Sequence, residues 1–384
     1  MIRIVYTVDA PFLGGAEHYV ARLATGLDPR AFTVSVVMRS NDADATLDLW
    51  ADDLVSKGIP VVRVPMRLPF RPLDAVVIHR AIAAFEPNVV HVNMPGPYTG
   101  QTALLAPIAR AAGARVVVTE HLPMVERLWK RAAVKGVAIR SVDLAVTMTK
   151  ANAELLVRRQ GYRPERVRVV ENGVPFAYGT RPREGDDRSR LALEPDSVAI
   201  LFIGNLIPHK GLQLAIEALS MGSLPSWRLL VVGTGPDEGN ARLLATRRGI
   251  GDRVTFLGRR DAVEVERIVS ACDALVLPSS MEGLPYVILE AMACSKPVVS
   301  TRAYGIPEAV VDGETGFLVD PGNVGELARA LRSVIADRAL RARLGRAGRV
   351  RFEEHFTLER QLAVMSSLYR EVLAGVRVGV EASA

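Results

Sequence analysis

Short runs rich in valine and isoleucine alternate along the chain with stretches whose apolar residues recur every three or four positions. In the first half, strand patterns fall at 2–8, 32–38, 61–65, 88–94, 115–121, 144–149 and 167–172. Residues 15–27 represent the intervening segments: Ala16, Val20, Leu23, Ala24 and Leu27 keep a 3.6-residue period. Strands that are apolar on both faces, joined by helical crossovers, predict a parallel sheet covered by helices on both sides. Residues 175–197 break the pattern. They are charged, contain glycine and proline, and predict a linker with room for one short helix. The alternation resumes with strands at 197–205, 228–235, 253–258, 274–279, 297–302 and 316–320, and helical patterns run from about Val324 to Leu373. The tail from Gly375 has no period and is expected to fray.

The prediction is an α/β protein with two doubly wound, Rossmann-like domains, at 1–178 and 197–355, joined by a linker at 179–196. A length of 384 residues suits two such cores. In sheets of this kind ligands bind beyond the carboxyl ends of the strands, and two facing domains make a cleft for a ligand with two halves.

Composition narrows the class. The net charge is +6, carried by 42 arginines against six lysines. A high-GC genome accounts for that bias; an anionic ligand is the functional alternative, since arginine is the better phosphate fork. Aromatic residues are few and form no basic stripe, which argues against nucleic acid. Cys272 and Cys294 sit in apolar helical contexts, as small buried residues of a reducing compartment do. The first strand is followed by Asp9 and does not read as a signal peptide, and no apolar run reaches membrane-spanning length. The expectation is a soluble cytoplasmic protein, with a membrane surface as one candidate contact.

Several positions carry candidate chemistry. Gly14 and Gly15 precede a helix after the first strand, where backbone can approach an anion closely; a tight turn explains them equally. The G-x-G-x-x-G dinucleotide fingerprint is absent there, and "GTGPDEG" at 233–239 has the wrong spacing and reads as a turn. Lys210 lies at the carboxyl end of the second domain's first strand, beside a helix start, where an ammonium would grip a diphosphate. Asp42 and Asp44 form a D-x-D, but in a loop leading into a helix they read as capping residues rather than metal ligands. His121 ends a strand on the ligand side, with a core histidine as the competing explanation, and His91 is a weaker candidate. The helix at 124–140, with Arg127, Lys130, Arg131, Lys135 and Arg140, reads as a solvated basic face or as a peripheral membrane contact. Glu282 and Glu290, separated by a nearly apolar run, stand on different helical angles, which argues against a catalytic pair.

In order, these pieces resemble the retaining nucleotide-sugar glycosyltransferases of the GT-B fold, and within them family four. The densest match is "EGLPYVILEAMACSKPVVST", flanked by "VVENGV" (169–174), a GxGP turn (233–236), "VTFLG" (254–258) and "GIPEAVVDGETGFLVDPG" (305–322). The resemblance implies that Glu282 faces the donor sugar near its reacting carbon. It implies that backbone amides from Gly283 through Leu284 to Pro285 hold sugar hydroxyls and phosphate, and that Glu290 accepts from both ribose hydroxyls. Lys210 would bind the diphosphate, Gly15 would approach it from the first domain, His121 would contact the sugar, and backbone near Gly258 would read the base. A C-terminal helix at about 356–374 would cross back to the first domain. No cofactor or metal is implied; the donor is a nucleotide-diphospho-sugar, with uridine favoured over guanosine, and the acceptor bears a hydroxyl.

Two positions depart from the family. Asn205 stands where the family usually has an arginine, removing one of two cations expected on the diphosphate. Tyr304 stands where a glycine is commoner. The first departure keeps open a same-fold epimerase, a transferase with a non-standard donor, or an inactive nucleotide-sugar-binding protein.

Overall fold

The computed structural model describes residues 1–10, 13–39, 45–64, 72–94, 104–123, 129–180, 187–222 and 224–375. The chain divides into two compact units, Met1–Glu171 with Gln361–Ala384, and Asn172–Arg360.

The first unit is built on a parallel sheet of seven described strands: β1 (Ile2–Val8), β2 (Phe32–Arg39), β3 (Val61–Val64), β4 (Val89–Met94), β5 (Arg115–Glu120), β6 (Leu144–Thr147) and β7 (Val167–Val169). Their order is β3-β2-β1-β4-β5-β6-β7. The chain therefore reverses its direction of travel across the sheet between β1 and β4, and a ligand site belongs at the carboxyl ends of such neighbours. The strands are valine-rich because helices cover both faces. Val5, Val37, Val90, Val92, Val116 and Val118 lie in one buried cluster with Ile78 and Ile82 from the helix Pro72–Ala83.

The second unit repeats the plan with β8 (Val198–Ile203), β9 (Trp227–Val232), β10 (Val254–Gly258), β11 (Ala274–Leu277), β12 (Val298–Thr301) and β13 (Gly316–Val319). The order is β10-β9-β8-β11-β12-β13, all parallel, so the reversal falls between β8 and β11.

The expected boundary at 178 moves. Asn172 to Tyr178 pack within the second unit: Asn172 Nδ2 donates to Leu284 O (2.7 Å), Val174 N to Phe356 O (2.9 Å), and Arg349 Nη1 to Tyr178 O (3.2 Å). Of the expected linker, Asp187–Arg190 forms a short helix. Arg188 anchors it to the second unit through Ser197 O (2.6 Å) and Asp273 (3.1 Å). The helix Leu358–Ala374 counts with the first unit from Gln361 onward, close to the expected crossing segment. There Tyr369 is fully buried and bonds to Tyr6 Oη (2.8 Å) and His91 Nδ1 (2.6 Å).

Asp42 and Asp44, residues 124–128 of the basic segment and the tail from 376 lie outside the described residues. Among the described residues no helix is long and apolar enough to cross a membrane, and no group of three or more metal-ligating side chains occurs.

Candidate active site

At the reversal in the second unit, the loops after β8 and β11 are tied together. After β8 the chain runs through Gly204 and Asn205 into a single 3₁₀ turn, Pro208–Lys210, and then through Gly211 into the helix Leu212–Leu219. Gly211 has φ +77°, and any Cβ there would overlap the carbonyl of Pro278 after β11, so only glycine lets the two loops meet. Ser280 N donates to His209 O (2.8 Å) across the same seam.

This seam delivers Lys210 to Glu282. Lys210 Nζ lies 2.6 Å from Glu282 Oε1, and Ser279 Oγ donates to the same oxygen at 2.8 Å. The glutamate side chain is 9% exposed and the lysine 21%. A carboxylate so buried is costly unless paired, and here a cation and a hydroxyl share the task. Thr301 Oγ1 at the end of β12 holds Ser279 O, and Ser300 Oγ holds Leu277 O (2.6 Å), fixing the turn that carries the serine. His209 has its pKa lowered, first by burial and then by the neighbouring Lys210.

Past Glu282, Gly283 and Leu284 lead to Pro285, which caps the helix Tyr286–Ala293. One expected contribution is corrected here: Pro285 has no N–H, so from this run only Gly283 and Leu284 offer amide donors. Glu290 lies more than a turn inside that helix and is buried, while Glu282 lies in the loop before it. The two acids are therefore not on one helical face.

The carboxyl ends of β8, β9 and β10 are stitched as well. Gly204 N donates to Val232 O (3.0 Å), Gly233 N to Gly258 O (2.9 Å) and Leu206 N to Thr234 O (2.9 Å). These bonds link the end of β8, which leads to Asn205, through β9 to the end of β10 at Gly258. The segment from Gly233 is a turn, as expected, leading into the helix Glu238–Arg247.

In the first unit, Gly15 opens the helix Gly15–Gly26. Gly14 N donates to Glu17 Oε2 at 2.7 Å, and Glu17 is almost wholly buried. Burial raises its pKa to about 7, against the lowering effect of backbone hydrogen bonds. His121 follows β5, and its Nε2 lies 2.6 Å from Asn93 Oδ1. Asn93 Nδ2 in turn donates to Ala16 O (3.3 Å), so one side chain joins His121 to the helix that begins at Gly15. Burial lowers the pKa of both His121 and His91 to about 3. His91 is a core group: its Nε2 meets Thr119 Oγ1 at 2.6 Å and its Nδ1 meets Tyr369.

The basic-face reading fails at Lys135. Its ammonium is buried, 2.7 Å from Glu120 Oε1, and Tyr162 Oη donates to that oxygen at 2.9 Å. Val134 and Val137 are exposed instead.

Three residues at these places, Glu17, Asn93 and Ser279, are not among the candidates named from the sequence. Glu17 had a signal, since glycine followed three residues later by glutamate before an apolar run is a capping pattern. Asn93 had one too, sharing a strand face with His91 at i and i+2. Ser279 had none, being one serine of two after a strand.

The sequence matches the model of glycosyl transferases group 1 over residues 184–351 and that of glycosyltransferase family 4 over residues 13–178. A D-inositol 3-phosphate glycosyltransferase of Acidothermus cellulolyticus is 30% identical, covering 94% of this chain and 86% of its own. A lipopolysaccharide core biosynthesis glycosyltransferase of Rhizobium meliloti is 34% identical over 61% of this chain and 65% of its own. Among solved structures, Anabaena HepE in complex with UDP and glucose superposes with a TM-score of 0.83 at 22% identity, covering 97% of this chain and 100% of that one. Two Rossmann-like units, a lysine and a glutamate meeting at a sheet reversal, and matches spanning both halves agree: the chain belongs to the group 1, family 4 glycosyltransferases of the GT-B fold and is a sugar-transferring enzyme.

Proposed function

We propose that the enzyme moves a hexosyl-type sugar from a nucleotide-diphospho-sugar to a hydroxyl acceptor, with retention of anomeric configuration and without a metal. The observation that carries this reading is the Lys210–Glu282 contact at 2.6 Å, located where the sheet order reverses. An ammonium at that point can neutralise a departing diphosphate, and a carboxylate beside it can face the positive charge that develops on the sugar ring. The helix N-termini after Gly211 and Pro285 add partial positive charge on the same loops. The acceptor hydroxyl would attack on the face from which the diphosphate leaves. The sugar–phosphate bond breaks, and the leaving phosphate oxygen takes the acceptor's proton.

Uridine is the favoured base, in line with the UDP and glucose held by the Anabaena neighbour. The acceptor is a cell-envelope glycan or a natural product bearing a free hydroxyl, by analogy with the named relatives. Both cysteines are free, which fits a cytoplasmic enzyme. Exposed Val134 and Val137 offer a small apolar surface for peripheral contact with a membrane-borne acceptor.

The test is incubation with a panel of UDP- and GDP-sugars, following nucleotide diphosphate release and the anomeric configuration of the product. Absence of binding or turnover with every donor overturns the reading. Consumption of a donor without acceptor, giving an isomeric nucleotide sugar, would instead identify an epimerase.

A further inference from the structure

We infer that Asn93 is a positioning residue which locks His121 in one tautomer, so that His121 can meet the donor sugar only as a hydrogen-bond acceptor. The inference rests on the reading of His121 as a sugar contact.

Asn93 is fully buried at the end of β4 and touches two groups of fixed or constrained character. On one side is Ala16 O, a backbone carbonyl that can only accept, 3.3 Å from Nδ2. On the other is His121 Nε2, 2.6 Å from Oδ1. Reversing the amide would set Asn93 oxygen against the Ala16 carbonyl, two acceptors with no proton between them. The carbonyl therefore fixes the amide, and the amide oxygen requires a proton on His121 Nε2. The ring is neutral, because burial disfavours its cation. A neutral imidazole with its proton on Nε2 carries a lone pair on Nδ1. Among the described residues none hydrogen-bonds to that Nδ1, and His121 keeps a small exposed fraction, 9%. Tyr19 packs against the ring at an interplanar angle of 88° with centroids 4.9 Å apart.

The arrangement matters for recognition. A sugar hydroxyl can give or take a hydrogen bond, but an imidazole whose tautomer is set elsewhere can do only one. Here His121 accepts, so the sugar must present a hydroxyl proton to it. A donor whose matching hydroxyl is replaced by hydrogen or methoxy would lose the contact and leave a buried acceptor unpaired. A preset tautomer also avoids reorganisation when donor arrives.

The experiment is long-range proton–nitrogen NMR on the ligand-free, full-length protein labelled with ¹⁵N-histidine, with His121 assigned by His121→Gln. The expected pattern is that of a neutral ring protonated on Nε2 at neutral pH. A ring protonated on Nδ1, or an average of both forms, overturns the role of Asn93. Asn93→Asp, which keeps an acceptor oxygen, should preserve the Nε2–H form, whereas Asn93→Leu should release it. Calorimetry then compares UDP-glucose with UDP. Asn93→Leu should weaken UDP-glucose about tenfold, the loss of roughly one hydrogen bond, while leaving UDP unchanged. A released tautomer with an unaltered ratio of the two affinities would overturn His121 as a sugar contact, a failure distinct from the NMR outcome. Should Asn93→Leu not fold, the wild-type spectrum and the Asn93→Asp variant still decide the tautomer.

Discussion

Lys210 Nζ and Glu282 Oε1 are 2.6 Å apart, on loops that follow β8 and β11. Seventy-two residues separate them in sequence, and Gly211 against Pro278 O is what closes the distance. Each satisfies the other. On the proposed reading, an arriving diphosphate would give the lysine a second anion and free the glutamate to serve the sugar. Lys210→Ala should therefore lower kcat about a hundredfold or more, the usual loss for one preorganised donor at a developing anion. Glu282→Ala should also act mainly on kcat. The double variant should cost less than the sum of the two, because the residues act on one another. Steady-state kinetics of the three variants check this, and strict additivity would separate the two roles.

Glu290 is buried in the helix Tyr286–Ala293, away from the loop that holds Glu282. If it accepts from the ribose diol, Glu290→Ala should raise the donor's KM about ten- to a hundredfold and spare kcat, since a charged hydrogen bond is worth about 1.5–3 kcal/mol. A fall in kcat alone would contradict the assignment.

Tyr304 has φ +45° and an exposed side chain. Glycine adopts that region freely, whereas a side chain there costs roughly 1–2 kcal/mol. Tyr304→Gly should therefore raise the unfolding free energy of the second unit by about 1 kcal/mol, seen as a higher midpoint, and Tyr304→Ala, which keeps a Cβ, should not. Equal midpoints for the two variants would show that no strain is stored. The loop adjoins the site, with Gly305 N 3.4 Å from Glu282 O, so donor affinity is measured in the same variants.

Glu17 provides a pH signature. Its folded pKa is raised to about 7 from the ordinary 4.5, chiefly by burial. Its contribution to stability is thus fully present below about 4.5 and is lost as pH rises towards 7. At about 1.4 kcal/mol per pKa unit, the loss is of the order of 3 kcal/mol. Glu17→Gln should remove this dependence, so its stability relative to wild type should improve between pH 5 and pH 8. Urea unfolding at the two pH values is the measurement, and parallel curves would contradict it.

The alternation of valine-rich runs with helical periods determined the architecture. Every strand run read from the sequence is a strand; in the central strands burial on both faces leaves a signal in each residue. The ordered motifs likewise marked Lys210 and Glu282, which the structure brings into contact. Tertiary structure decided the rest. The change of unit at Asn172 depends on packing against Thr357 and Leu284, contacts that no local period encodes. Lys135 looked like part of a basic surface, yet it pairs with Glu120 fifteen residues away, since a helical pattern tells which side is apolar but not which charge lies opposite it. Asn93 shows the limit most clearly. Its role needs a carbonyl 77 residues before it and an imidazole 28 after it. Hydrophobic patterning is a local property and can be read along the chain; hydrogen-bond geometry between distant side chains exists only once the sheet has brought them together.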